Sequence, residues 1–418
     1  MNKKISLGAA IAYMAIVAAI TFSLTNIYSQ NAFNSMMKNM DEREATYDKL
    51  AEIDLAVRDN YYGTLDNDLL LSSTAAGYIA GLGDPDSKYL TPKEYEEYTK
   101  VESGKYVGIG VVTELSEDGY IRLKTVYPES PAEFAGLHAG DIIISIDGKT
   151  ANAENYSTLS GGLKGEAGTK VTLVKRLDNS ETTLELTRRD VDIPTVQSEV
   201  LAGNTGYIRF SGITQATSAQ LEKTIKQLTD NGVTSLILDL RGIKSTNMKH
   251  ITDMLDPLLP EGDIAYTKYK DGSKKSLGTS DAVSVSLPMT VLADDGTQGT
   301  PELFVQAIKE QPAGKFVGLS TAGHGNLQED FKLKDGSAVL LTTAIYTSAS
   351  GKSYDKTGVT PDYEVKLGNS EEEKAAFIGN VDTDPQLRKA MEISAAAVAK
   401  ADAAASSGSS SSAASLSK

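Results

Sequence analysis

The sequence predicts an α/β (α+β) core, a mainly-β domain inserted ahead of it, an N-terminal helical region and one transmembrane helix. Three observations carry this expectation. An uncharged apolar run occupies most of the first thirty residues, helical periodicity follows to about residue 104, and from Thr205 onward apolar strand-like runs alternate with amphipathic helices. With 418 residues and 40% hydrophobic content, the chain is long enough for roughly two or three packed domains.

From Ile5 to Leu24 no residue is charged, and as a helix this run spans about 30 Å, enough for one bilayer crossing. Lys3 and Lys4 precede it, which keeps the N-terminus cytoplasmic by the positive-inside rule. The run is longer than a signal-peptide core, and no convincing small-x-small cleavage site precedes the polar segment near Ser29. Residues 1–30 are therefore read as an uncleaved signal-anchor rather than a cleaved signal peptide. The expectation is a single-pass protein of the cell membrane with its bulk extracytoplasmic.

A net charge of −15 leaves no basic field for nucleic acid. Cysteine is absent, which excludes disulfides, thiolate chemistry and Cys-based zinc sites. The three histidines, His138, His250 and His324, lie far apart in the sequence, so no metal site is expected. The glycines from Gly161 to Gly168 lack the Gly-Lys-Ser/Thr ending of a phosphate loop, and no cofactor is expected.

Residues 31–104 read as a helical region. Leu50, Ile53, Val57 and Tyr61 recur at helical spacing, and a second helix from about Asp68 to Ala80 ends at Gly81 and Gly83. Such a stripe is usually core, but a helix next to the membrane can also pair with its own copy, so a homodimer is kept as an alternative. Asp84-Pro85-Asp86 reads as turn chemistry.

Residues 105–190 change to short strands. A glycine loop, Val107-Gly108-Ile109-Gly110-Val111, precedes a strand; Pro131 to Ala135 follow as a short helix, Gly140-Asp141 opens a strand, and Asp147-Gly148 makes a hairpin turn. In order and spacing this resembles a PDZ domain. The glycines let successive backbone N–H groups converge on a carboxylate while the next strand offers its edge to an extended peptide. Val107, Gly108, Ile109, Gly110 and Val111 are the expected peptide-binding residues, and protein C-termini the expected ligands.

Residues 191–401 form the α/β core. Gly206 to Ser211 and Ser235 to Leu240 read as strands, and Thr217 to Asn231 as a helix capped by Thr217 with Gln220 three residues on. Val291 and Leu292 end a buried strand, Asp294 to Thr300 make a turn, and Pro301 opens a helix with Thr300 as its cap. Asp384-Pro385 starts a last helix to about Ala401. Residues 402–418, nearly all Ala and Ser, are expected to be disordered.

From about Thr46 to Ala399 the chain resembles the carboxyl-terminal processing peptidases, also called tail-specific serine proteases. The matching landmarks are Gly83-Asp84-Pro85 to Pro92, the PDZ-like insert, Gly206-Tyr207-Ile208, Ile237-Leu238-Asp239-Leu240-Arg241, Glu302, Gly323-x-Gly325, Gln328, Asp335-Gly336-Ser337 and Gly358-Val359-x-Pro361-Asp362. The resemblance implies a peptidase core that acts on extracytoplasmic proteins recognised by their C-terminal ends.

The motifs that carry the family's chemistry are altered. Anchored on Glu302, the resemblance puts Gly299 where the family's nucleophilic Ser stands and His324 where its Lys base stands. Gln328 keeps the place of the residue that orients the base. The loop whose glycines help form the oxyanion hole reads Ser245-Thr246. Thr297 and Thr300 are the neighbouring hydroxyls that a surviving activity would have to use, with His324 as base. The expectation is a pseudopeptidase that sequesters or presents protein tails, or modulates an active relative. The alternative is an endopeptidase with an altered catalytic pair.

Overall fold

A computed structural model describes residues 7–37, 40–177, 180–368 and 370–413, and the chain divides after Thr74 into two compact units. The first contains the helices Leu7–Met37 and Met40–Asn60 and the start of the helix Asn67–Ala80. Leu50, Ile53 and Val57 do fall on one helical face, but Ile53 stays 49% exposed. With Leu70 and Leu71 they line an open groove of about 460 Å³ instead of a closed core. Among the described residues no helix is long and apolar enough to cross a membrane, so the expected transmembrane helix is not confirmed. The run proposed for it begins at Ile5, outside the described residues, and is helical from Leu7.

The second unit is built on a six-stranded sheet. Its order is Val196–Leu201, Thr205–Phe210, Ser235–Asp239, Met289–Ala293, Gly314–Gly318 and Tyr363–Glu364; the first pair is antiparallel and the rest parallel. Parallel strands covered on both faces need apolar side chains on both sides, and the strand Ser235–Asp239 supplies them by alternation. Leu236 and Leu238 join the core under the helices Thr217–Asp230, Met248–Leu255 and Thr300–Lys309, while Ile237 joins Tyr207, Leu292, Val317, Leu387 and Ala390 beneath the last helix.

A five-stranded antiparallel sheet stands beside it. The strand Ala338–Ser348 pairs with Lys88–Leu90, Gly262–Tyr269 and Asn326–Lys332, and Gly262–Tyr269 pairs in turn with Lys274–Ser280. This pairing carries the segment before Lys88 next to the loop before Asn326.

The PDZ-like part is a separate antiparallel sheet whose main strands, from Val111–Leu115 to Ser180–Thr187, follow chain order. Ile109, Ile121, Leu123, Ile143, Val171 and Leu173 fill its core. The hairpin at Asp147 and Gly148 has φ values of 48° and 74°, as a two-residue turn of this kind requires. Where the chain enters and leaves this part, Lys105–Gly108 pairs with Arg189–Asp192 and closes the base.

Two local expectations are corrected. Thr217 is the first residue of its helix rather than its cap, because its Oγ1 accepts from the Thr214 N–H at 2.8 Å and hydrogen-bonds the Thr195 hydroxyl at 2.7 Å. Of the tail expected to be disordered, 402–418, residues 402–413 continue the last helix, Pro385–Ala413, and residues 414–418 lie outside the described residues. Extending a docked helix requires no new nucleus, although residues 406–412 are Ser and Gly, which have poor helix propensity.

Arg241 locks the last helix to the sheet. Its guanidinium, with its side chain 0% exposed, meets Asp239 at 2.6 Å and Asp384 at 2.9 Å. It also donates to Gln386 Oε1 at 2.9 Å, while Asp384 Oδ1 accepts from the Gln386 and Leu387 amides at the helix start. Replacing Arg241 by Met leaves two buried carboxylates without their cation and is expected to cost about 3–5 kcal/mol in chemical denaturation. Tyr207→Phe, which removes only the 2.6 Å bond to Asp239, is expected to cost about 1 kcal/mol.

Candidate active site

The chain turns sharply between the strand Met289–Ala293 and the helix Thr300–Lys309. Asp294 makes the turn, its Oδ1 accepting from the Gly242 N–H at 2.8 Å and the Gly296 N–H at 3.0 Å; burial raises its pKa above the ordinary carboxylate range. Thr297 donates its hydroxyl to the Leu240 carbonyl at 2.9 Å and is fully buried. Gln298 and Gly299 then pair in parallel with Lys244 and Ser245.

Gly299, not Thr300, is the cap, and Pro301 is the second helical residue rather than the first. The cap's N–H donates to Glu302 Oε1 at 3.0 Å. The hydroxyl of Thr300 is buried without a hydrogen-bond partner, so the capping role expected for it passes to Glu302. Gly299 has φ 81° and ψ −132°, a backbone that side chains other than glycine rarely adopt. A Cβ built there would lie 2.2 Å from the Ser245 carbonyl oxygen. The space that a side chain at this turn would enter is thus filled by a backbone acceptor. That acceptor has the wrong polarity for an oxyanion site, which needs donors.

Glu302 joins the turn to the loop from Thr321 to His324. Its side chain is fully buried. Oε1 accepts from Gly299 and from the His324 N–H at 2.8 Å; Oε2 accepts from the Thr321 hydroxyl at 2.5 Å and the Gly323 N–H at 2.7 Å. Gly299 and His324 are therefore brought together, each with its backbone on one carboxylate oxygen.

The His324 ring does not turn to Gln328. Its Nδ1 lies 2.9 Å from Asp86 Oδ2, and Asn326 Nδ2 donates to the same oxygen at 2.7 Å. Gln298 Nε2 stands 3.3 Å from the same ring nitrogen. Gln328 donates to the Thr342 hydroxyl at 2.5 Å while its Oε1 has no partner. It lines a cavity of about 450 Å³ with Thr246, Asn247, Tyr98 and Phe331. The orienting role expected of Gln328 falls to Asp86, whose sequence reads only as a turn. Nothing local to Asp86 signals this, because the two partners are 238 residues apart.

The arrangement holds an oriented imidazole, partly open to solvent, beside a turn whose residue 299 has no side chain. Thr297 is committed to a carbonyl, and Thr300 is only 1% exposed. Among the described residues no cluster of His, Asp and Glu could hold a metal ion. In the PDZ-like part, the expected loop Val107 to Val111 leads into the free edge of the strand Val111–Leu115, opposite the helix Tyr156–Gly161. Between them is a groove of about 420 Å³.

Gly299→Ala is expected to destabilise the protein by roughly 3 kcal/mol or more, from backbone strain plus the collision with Ser245. Gly148→Ala, at φ 74° with nothing near its Cβ position, is expected to cost only about 1–2 kcal/mol. Equal denaturation midpoints for the two variants would contradict the filled space at residue 299. Glu302→Gln, which sets amide hydrogens against bound donors, is expected to cost about 3 kcal/mol.

Comparison with known proteins agrees with this architecture. The sequence pattern of Peptidase family S41 matches residues 204–365, and that of a PDZ domain matches residues 122–176. The Carboxy-terminal processing protease CtpA of Bacillus subtilis is 30% identical over 354 residues, covering 84% of this chain and 76% of its own length. The chloroplastic Carboxyl-terminal-processing peptidase 3 of Arabidopsis thaliana is 26% identical over 75% of this chain, which spans 63% of that relative. The solved Photosystem II D1 C-terminal processing protease is 25% identical, covers 81% of this chain and 92% of its own, and superimposes with a TM-score of 0.46. The chain is a member of peptidase family S41, of the carboxyl-terminal processing protease kind, with a PDZ domain.

Proposed function

We propose that the protein is a pseudopeptidase that binds the C-terminal ends of extracytoplasmic proteins in its PDZ groove and does not cleave them. The observation that carries this reading is the Ser245 carbonyl oxygen 2.2 Å from the place of a Cβ at Gly299. The nucleophile is absent and its space is closed. Loss of the nucleophile alone costs a serine protease about a million-fold in turnover, and loss of one oxyanion donor about a hundred- to a thousand-fold. Bound tails would be sequestered or presented to an active relative. The N-terminal run from Ile5 to Leu24, preceded by Lys3 and Lys4, supports anchoring in the cell membrane. The half-exposed stripe at Leu50 and Ile53 supports pairing with a second copy.

One observation favours an active enzyme instead. The 2.9 Å contact between His324 and Asp86 repeats the base-and-orienter pair of a catalytic triad. What this pair lacks is a hydroxyl that it could activate.

The purified full-length chain in detergent is expected to leave an unfolded protein substrate intact. Gly299→Ser with His324→Lys is expected to stay inactive too, because Ser245 obstructs the new side chain. Cleavage by the unaltered chain that disappears in His324→Ala would establish the active enzyme and end the pseudopeptidase reading. In a titration, a peptide with an apolar free C-terminus is expected to bind at least tenfold more tightly than its C-terminal amide, since charge-assisted hydrogen bonds are about twice as strong as neutral ones.

A further inference from the structure

A cradle for a carboxylate needs unpaired backbone N–H groups, and the loop Gly108-Ile109-Gly110-Val111 is shaped to present them. It turns at Gly110, with φ 84°, where an added Cβ would lie 2.1 Å from Ser130 Cβ. One of the amides is already occupied. The Val111 N–H donates to the phenolic oxygen of Tyr106 at 3.1 Å. The Gly110 amide acts on the same phenol: both amides hold its pKa down against burial, which is the larger influence and pushes it up to about 12. The group is thus a neutral hydroxyl near neutral pH.

The ring that brings this oxygen into place is built into the domain. It fills the space left by Gly108, where an added Cβ would lie 2.6 Å from a Tyr106 ring carbon. The Tyr127 ring meets it edge-on with centroids 6.2 Å apart, and Lys164 Nζ stands 5.2 Å from its centroid. Tyr106, Ile109, Val111 and Lys164 line the groove. At the groove's other side, Tyr156 and Thr113 join the helix to the strand through their hydroxyls at 3.1 Å.

We propose that Tyr106 is an internal occupant of the carboxylate cradle, its phenolic oxygen standing where one oxygen of a peptide's C-terminal carboxylate would bind. The inference rests on the reading of this groove as a site for C-termini. Binding then exchanges one acceptor for another. A carboxylate makes the stronger bonds and is attracted by Lys164, whereas the neutral phenol is already in place. Only the fraction of molecules whose Tyr106 has released the Val111 amide can bind, so every ligand's apparent affinity is lowered by that fraction. Tyr106 sets a threshold that ligands with well-matched apolar C-terminal residues pass and weaker ones do not.

Tyr106→Phe removes the hydroxyl and keeps the ring. In the full-length chain this variant is expected to bind a peptide with an apolar free C-terminus about tenfold more tightly than the unaltered protein does, the size of about one to two released hydrogen bonds. Amide hydrogen exchange at Val111 is expected to quicken in the variant without peptide. Equal affinities of the two chains, or unchanged exchange at Val111, overturn the proposal and leave the groove's ligand class standing. Failure of both chains to distinguish the free acid from its amide overturns that ligand class, and the proposal with it.

Discussion

A fully buried carboxylate with no cation beside it among the described residues holds the centre of this protein together. Glu302 accepts hydrogen bonds from the amides of Gly299, Gly323 and His324 and from the Thr321 hydroxyl. Burying such a charge is tolerable only when nearly every lone pair is used. The start of one helix and the conformation of a loop some twenty residues later are therefore fixed by one side chain. The elbow at Gly299 and the backbone of His324 owe their positions to it.

The space above Gly299 is occupied by backbone, with the Ser245 carbonyl oxygen 2.2 Å from the place of a Cβ at residue 299. The pairing of Lys244 and Ser245 with Gln298 and Gly299 satisfies backbone groups that an open site would leave to water or substrate, and it directs the Ser245 carbonyl at the elbow. Glycine at φ 81° makes that approach possible. The result is a stable turn with an acceptor where catalysis needs donors. His324 has a carboxylate partner in Asp86, which keeps a partly exposed imidazole oriented.

The PDZ groove follows the same principle, since an empty cradle of amide donors is costly and a chain can fill it with its own acceptor. Tyr106 lies just before the loop it occupies, where the short pair Lys105–Gly108 with Arg189–Asp192 fixes its backbone. Peptidase-like elbow and peptide cradle are thus both satisfied from within, the first by a backbone carbonyl, the second by a side-chain hydroxyl.

Periodicity, turn residues and motif order made much of this legible in the sequence. Thr217 to Asn231 announced a helix, Ser235 to Leu240 a strand, and Asp147-Gly148 a hairpin. The absence of a hydroxyl at Gly299 was also plain, because a missing side chain is a property of one residue. What only the tertiary structure decided are the contacts between segments distant in the chain. The partner of His324 is Asp86 and not Gln328, Thr217 spends its hydroxyl on Thr195 and Thr214 rather than on a cap, and the Ser245 carbonyl fills the space above Gly299. Local propensity acts through neighbours a few residues apart, whereas these contacts follow from sheet pairing: Lys88–Leu90 beside Ala338–Leu340 brings Asp86 to His324, and no pattern within either segment encodes that meeting.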